Sequence, residues 1–165
     1  NFAAELLRKL IAEQVRIYQR TNAVRASKFS EILANAMSNY LKGLLTNEEV
    51  IQELMKAAHE IINGEEDSKK LNLTSEELAF YDALTKPEAV KDVYTNDQLV
   101  AITKELTEAL RENKTIDWNV KESARAGMRR IVKRLLKKYK YPPEGEEDAL
   151  NTIMLQCNKW TEENV

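Results

Sequence analysis

The chain has 165 residues, with four Gly, three Pro, one Cys and a net charge of −2; that length fits one domain, 1–165, large enough to bury a real core. The lone Cys157 excludes an internal disulfide and points to a reducing or redox-indifferent compartment, while no apolar run approaches the roughly 18 residues of a membrane span. The first residues lack the charged-then-apolar layout of a signal peptide; with no initiator Met, the chain reads as a piece of a longer protein, expected in the cytoplasm.

Residues 2–20 put Ala3, Leu6, Leu7, Leu10, Ile11 and Tyr18 on one side, which predicts a first helix. A short link at Thr21-Asn22 leads to a second over about 23–44, whose Phe29, Ile32, Leu33, Ala36, Met37, Tyr40, Leu41 and Leu44 form the cleanest 3-4 repeat. Thr46 with Glu49 is a capping box. The third helix should bury Val50, Ile51, Leu54, Ala58, Ile61 and Ile62 and stop at Asn63-Gly64, leaving Glu65–Lys70 as a solvated loop or frayed turn. Thr74 with Glu77 caps a short fourth helix, Ser75–Leu84, ended by Lys86-Pro87; Thr95 with Gln98 caps a fifth holding Leu99, Ile102, Leu106 and Leu110.

The sixth helix belongs to the most polarised segment, 119–141. Asn119 with Glu122 reads as its capping box, and Ala124, Met128, Ile131, Val132, Leu135, Leu136 and Tyr139 make one apolar stripe. Pro142 and Pro143 are the expected stop. Nine basic residues (Lys121, Arg125, Arg129, Arg130, Lys133, Arg134, Lys137, Lys138, Lys140) stand there against the single acid Glu122. Acid-rich stretches lie on either side, so the small net charge says little about partners. A seventh helix carries Leu150, Ile153, Met154, Cys157 and Trp160 on one stripe. No stretch alternates with period two over more than four residues, so the expected fold is all-α, an irregular bundle of six to seven helices without a sheet.

Chemistry is sparse. Gly43, Gly64, Gly127 and Gly145 are isolated and none precedes Lys-Ser/Thr, which excludes a P-loop. His59-Glu60 begins a zincin-like string, but the second ligand position is Asn63 and His59 is the one histidine. Asp67-Ser68-Lys69 imitates the tail of a nuclease D-x-K triplet, which needs a strand rather than a charged linker between helices. Cys157 lies on an apolar stripe and reads as a structural thiol. Tyr81, Trp118, Tyr139, Tyr141 and Trp160 could line a ligand cage or pack as core and hinge. The chain therefore shows no catalytic and no metal site of its own. What remains is the basic helix, with two readings left open: a contact surface for duplex DNA, or a solvated or protein-covered face, including one neutralised by Glu144–Asp148. Few aromatics interleave with its lysines, which argues against a single-strand stacking platform.

Five stretches then carry a resemblance: Asn1–Ile11 (NFAAELLRKLI), Lys28–Leu33 (KFSEIL), Leu73–Leu84 (LTSEELAFYDAL), Ile116–Trp118 (IDW) and Met128–Pro143 (MRRIVKRLLKKYKYPP). In order and across essentially the whole length, the chain resembles the C-terminal helical domain of type I restriction enzyme R subunits, the HindI-like group. It departs from that pattern at Asn72, where glycine is expected before Leu73, and at Lys140, where glycine often precedes Tyr-Pro-Pro. Asn tolerates a left-handed turn, whereas Lys140 should make the helix end less sharply.

The resemblance implies a parent built from a PD-(D/E)xK nuclease and two RecA-like helicase lobes, cutting unmodified DNA after ATP-driven translocation. Its ATP and Mg2+ sites and catalytic residues would lie upstream, and this helical part would be no enzyme by itself. It would dock the motor onto the methyltransferase core of modification and specificity subunits and support the helicase lobes, with no membrane involved. The residues expected to make contact are Arg125, Arg129, Arg130, Lys133, Arg134 and Lys137, together with two turns at Tyr81-Asp82 and Asp117-Trp118, which either dock a partner or serve local helix packing. The alternative is a helical module that guides duplex DNA along 119–141.

Overall fold

The computed structural model describes residues 2–90, 92–114 and 120–163. Seven α-helices and one short 3-10 turn run through them, with no strand among the described residues; the all-α expectation holds. The single-domain expectation meets a chain that packs as two compact units, Asn1–Arg20 with Arg25–Asn72 and Thr21–Val24 with Leu73–Val165.

In the first unit, α1 (Phe2–Thr21), α2 (Ala23–Leu41) and α3 (Asn47–Leu71) enclose Ile11, Val15, Tyr18, Phe29, Val50, Leu54, Ala57 and Ile61. The Tyr18 and Phe29 rings meet at 5.6 Å, and the Tyr18 hydroxyl donates to Glu65 Oε1 at 3.3 Å. The sequence reading turns α1 partly to the wrong side. Ala4, Ile11, Val15 and Tyr18 are buried, whereas Ala3, Leu6 and Leu10 face outward. Helix α1 has two apolar rows, and the row with the better 3-4 register to Tyr18 takes the core.

Helix α2 stops at Leu41 rather than Leu44. Gly43 adopts φ +76°, Gly43 N–H donates to Tyr40 O at 3.1 Å and Leu44 N–H to Asn39 O at 2.9 Å. That pair of bonds is a Schellman ending, which satisfies the last carbonyls and turns the chain away. Leu41 and Leu44 are left exposed.

The predicted stop at Asn63-Gly64 is wrong: α3 continues to Leu71, with Asn72 left-handed at φ 56° as its C-cap. Residues 65–70 are mostly Glu and Lys, good helix formers. Gly64 sits inside the helix with the Arg25 guanidinium against it, Nη1 1.9 Å from where a Cβ would be. Asp67-Ser68-Lys69 is thus helical, and Ala57 rather than Ala58 is the buried alanine, with Ile62 exposed.

The second unit holds α4 (Ser75–Thr85), a 3-10 turn (Glu88–Val90), α5 (Asn96–Asn113), α6 (Glu122–Lys138) and α7 (Pro143–Glu163). The capping boxes at Thr46, Thr74 and Thr95 all form. Helices α4 and α6 each pack against α5 and α7, around Phe80, Leu84, Ile102, Leu106, Leu110, Val132, Leu136, Leu150, Ile153 and Cys157. Pro143 does not stop α6; it opens α7, where its missing N–H costs nothing. Gly145 lets that first turn lie against Pro87, whose Cβ is 2.7 Å from an added Cβ.

The link between α1 and α2 is held within this second unit. Gln156 Nε2 donates to Thr21 O at 2.7 Å and its Oε1 accepts from Ala23 N–H at 3.0 Å, while Asn22 Nδ2 donates to Asp82 Oδ2 at 2.7 Å. Asn22 and Gln156 are each 2% exposed, so both satisfy backbone or carboxylate groups that water reaches poorly.

A candidate partner-binding face on helix α6

Helix α6 is anchored by Met128, Val132, Leu135 and Leu136, all buried, with Ala124, Ile131 and Tyr139 packed at the margin. The stripe read from the sequence is therefore the one that docks. Its start differs: Lys121 is the N-cap and makes no side-chain cap bond, so Glu122 is the first helical residue. Asn119 lies outside the described residues.

The end of α6 is sharp, contrary to expectation. Lys140 takes φ 55°, Lys140 N–H donates to Lys137 O at 3.1 Å and Tyr141 N–H to Leu136 O at 2.9 Å. This repeats the Gly43 ending with a lysine in the left-handed position. The Tyr94 hydroxyl then caps Tyr139 O at 2.7 Å and buried Tyr141 donates to Leu84 O at 2.6 Å.

Seven of the nine cations fall inside the helix. From Arg129 to Lys138 every exposed residue is a cation, namely Arg130, Lys133, Arg134, Lys137 and Lys138, with Arg129 half-buried and Arg125 exposed a turn earlier. They form two rows at four-residue spacing, Arg125-Arg129-Lys133-Lys137 and Arg130-Arg134-Lys138, which stack side chains of like sign one above the other. Four of those neighbouring pairs exclude Lys138. At about 0.2–0.5 kcal/mol each, they cost the helix on the order of 1–2 kcal/mol.

Lys138 is tied off: its Nζ donates to Glu105 Oε1 of α5 at 2.6 Å, and the Tyr139 hydroxyl donates to the same carboxylate. The Lys138 hydrogen bond, then that of Tyr139, holds the Glu105 carboxyl below its ordinary pKa. The same carboxylate raises Lys138 and Tyr139. Among the described residues, Arg125, Arg129, Arg130, Lys133, Arg134 and Lys137 have no ion-pair or hydrogen-bond partner for their side chains. The acidic run after Pro143 does not neutralise them, since Asp148 pairs with Lys86 at 3.0 Å and none of Glu144, Glu146 or Glu147 reaches α6.

Tyr81 and Asp82 do not form a turn. Both are half-buried on α4, where Tyr81 packs against the core of the second unit and Asp82 takes the Asn22 hydrogen bond. Their side chains are engaged because α4 is apolar nearly all round and buried on most sides. Asp117 and Trp118 lie outside the described residues. The aromatic residues take separate packing positions, Trp160 edge-on to Phe80 at 5.0 Å and under the Lys114 ammonium at 5.2 Å. His59 is exposed on α3. Among the described residues no three His, Cys, Asp or Glu side chains are placed to hold a metal ion, and no helix is long and apolar enough to cross a membrane.

One surface escaped the sequence reading. Phe2, Leu6, Leu10 and Ile17 form the second row of α1 and remain exposed, Leu10 at 57%, beside Ile62 of α3 at 52%. A groove of about 290 Å³ runs there, floored by Leu7, Ile11, Ala58 and Ile61 and rimmed by Gln14 and Glu65. The signal was the 4-4-7 spacing of those four residues, which lies about 145° around the helix from the buried row.

Residues 1–163 match the family described as type I restriction enzyme HindI endonuclease subunit-like, C-terminal. The chain is 36% identical over 163 residues to the type I restriction enzyme HindI endonuclease subunit of Haemophilus influenzae, covering 99% of this chain and 16% of that protein. It is 31% identical over 139 residues to a putative type I restriction enzyme MjaIXP endonuclease subunit of Methanocaldococcus jannaschii, covering 84% of this chain and 13% of that one. The chain thus spans about a sixth or less of the curated relatives it matches. No solved structure matches it. The chain belongs to the HindI endonuclease subunit-like C-terminal family of type I restriction enzymes.

Proposed function

We propose that this helical chain is the assembly module of a type I restriction R subunit, joining the motor to the methyltransferase core of modification and specificity subunits. The observation that carries the reading is the α6 face: six cations without a partner among the described residues, held on a packed scaffold at a cost to helix stability. Side chains kept in that state are explained by an anionic surface outside the chain. The exposed apolar row of α1 gives further support, because contiguous apolar surface of this kind is ordinarily covered by protein. The helicase lobes of the parent chain are its proposed cover, since most of each relative lies outside the matched region.

The parent's nuclease activity, with ATP and Mg2+, is assigned in this reading to parts of the R subunit outside these residues, and the module itself to binding alone. Arg125, Arg129, Arg130, Lys133, Arg134 and Lys137 are the contact residues, meeting either an acidic surface of the core or the DNA that the core holds. Calorimetric titration of the chain into its cognate modification–specificity complex tests the proposal. Saturable one-to-one binding that survives moderate salt is expected, and no heat change with a folded, active core would overturn it.

A further inference from the structure

We infer that the α6 face is a sequence-independent contact for the phosphate backbone of duplex DNA, rather than for an acidic protein. The inference rests on the assembly reading for its biological setting and on α6 alone for its chemistry. Protein–protein interfaces place aromatic and aliphatic side chains at their centre, with single Arg residues among them, and deplete Lys there. The outward side of α6 does the reverse. Between Arg129 and Lys138 it exposes no apolar or aromatic residue, only Arg and Lys, the composition of a nucleic-acid surface.

Dimensions agree with that. Arg125 to Lys137 covers about 18 Å of helix, against which a duplex sets a phosphate charge about every 1.7 Å, more than enough for six cations. Between Arg129 and Lys138 no exposed Asn, Gln or Thr stands ready for adenine or thymine edges, and the cations recur at four-residue spacing along the helix, an arrangement suited to successive phosphates. The helix would track the backbone without choosing a sequence. Lys138 is not counted among the contacts, because Glu105 already holds it.

The test is fluorescence anisotropy of the whole 165-residue chain with a labelled duplex of arbitrary sequence, at several salt concentrations between about 50 and 200 mM. With about four or five phosphates neutralised, log K should fall linearly with log salt with a slope of about −4. The R130E/R134E variant should bind at least about tenfold more weakly with a shallower slope, while Lys56→Glu, on α3, should bind as wild type. Residues 130 and 134 stay of like sign in R130E/R134E but gain opposite-sign neighbours at Lys133, Lys137 and Lys138, so this variant should melt no lower than wild type, which separates lost contact from lost fold. A salt-independent affinity, or equal binding by R130E/R134E, would overturn the inference. So would poly-glutamate competing as well as DNA at equal charge, which would reassign the face to an acidic protein. Core binding without duplex binding would remove this inference and leave the assembly reading standing; duplex binding without core binding would do the opposite.

Discussion

Lys138 donates to the Glu105 carboxylate at 2.6 Å, and it is the one cation within α6 that finds such a partner among the described residues. Its neighbour in the same row, Arg134, is exposed above Arg130 and has none. Arg134→Glu should therefore stabilise the chain, turning the Arg130–Arg134 repulsion into attraction worth about 0.5–1 kcal/mol. Urea denaturation would register this as a higher midpoint at unchanged slope. A lower midpoint would mean that the like-charge rows carry no strain.

Lys140 occupies a left-handed position that glycine takes at the end of α2. Lys140→Gly should stabilise by about 0.5–1 kcal/mol, since the steric cost removed exceeds the chain entropy added. Lys140→Val should destabilise, because a branched Cβ fits that region worst. Thermal melting of both variants checks the order Gly, Lys, Val.

The two helical glycines separate by what faces them. At Gly145 an added Cβ meets the Pro87 ring at 2.7 Å, which cannot move without shifting backbone, so Gly145→Ala should cost about 1–3 kcal/mol. At Gly64 the obstacle is the end of the Arg25 side chain, and alanine gains about 1 kcal/mol of helix propensity. Gly64→Ala should lie within about 1 kcal/mol of wild type. Equal losses in a paired denaturation experiment would contradict this assignment.

Much of the second unit was legible in the sequence, because each element carried two agreeing signals. The Thr-x-x-Glu/Gln boxes at Thr74 and Thr95 fixed helix starts, and the Met128–Tyr139 and Leu150–Trp160 stripes fixed which sides are buried. The first unit was harder. Helix α1 offers two apolar rows of similar strength, and periodicity alone does not say which one finds α2 and α3. Gly64 looked like a stop because the residue that excuses it, Arg25, is far away in sequence. The cation face was legible as composition, but whether its charges are paired depends on α5 and α7, which no local pattern reveals. That Tyr81 and Asp82 are engaged on α4 was hidden in the sequence because Asp82's partner, Asn22, is likewise distant.

Gln156 spans two backbone groups of the α1–α2 link with one amide. Gln156→Leu keeps its bulk but removes the hydrogen bonds to Thr21 O and Ala23 N–H, at a cost of about 2–4 kcal/mol. Hydrogen exchange should quicken at the Ala23 amide well before it does in α5. Unchanged protection there would show that the amide bridge does not hold the link.

Burial pushes the Cys157 thiol up to about 12 from an ordinary 9.0. A folded-state pKa raised above the unfolded one gives a contribution that is whole below pH 9 and lost progressively as the pH climbs to about 12. The difference in melting temperature between wild type and Cys157→Ala should therefore shrink between pH 8 and pH 10.5. A difference that stays constant would mean the thiol titrates alike in both states.

In the proposed function, the six α6 cations that have no partner among the described residues meet an anionic surface of a restriction complex. The most direct measurement titrates wild type and R130E/R134E into the modification–specificity core with duplex DNA bound, and melts both proteins in the same buffer. The account predicts that the variant loses at least about tenfold in affinity while melting at the same temperature or higher. Undiminished affinity, or a loss matched by unfolding, would contradict it.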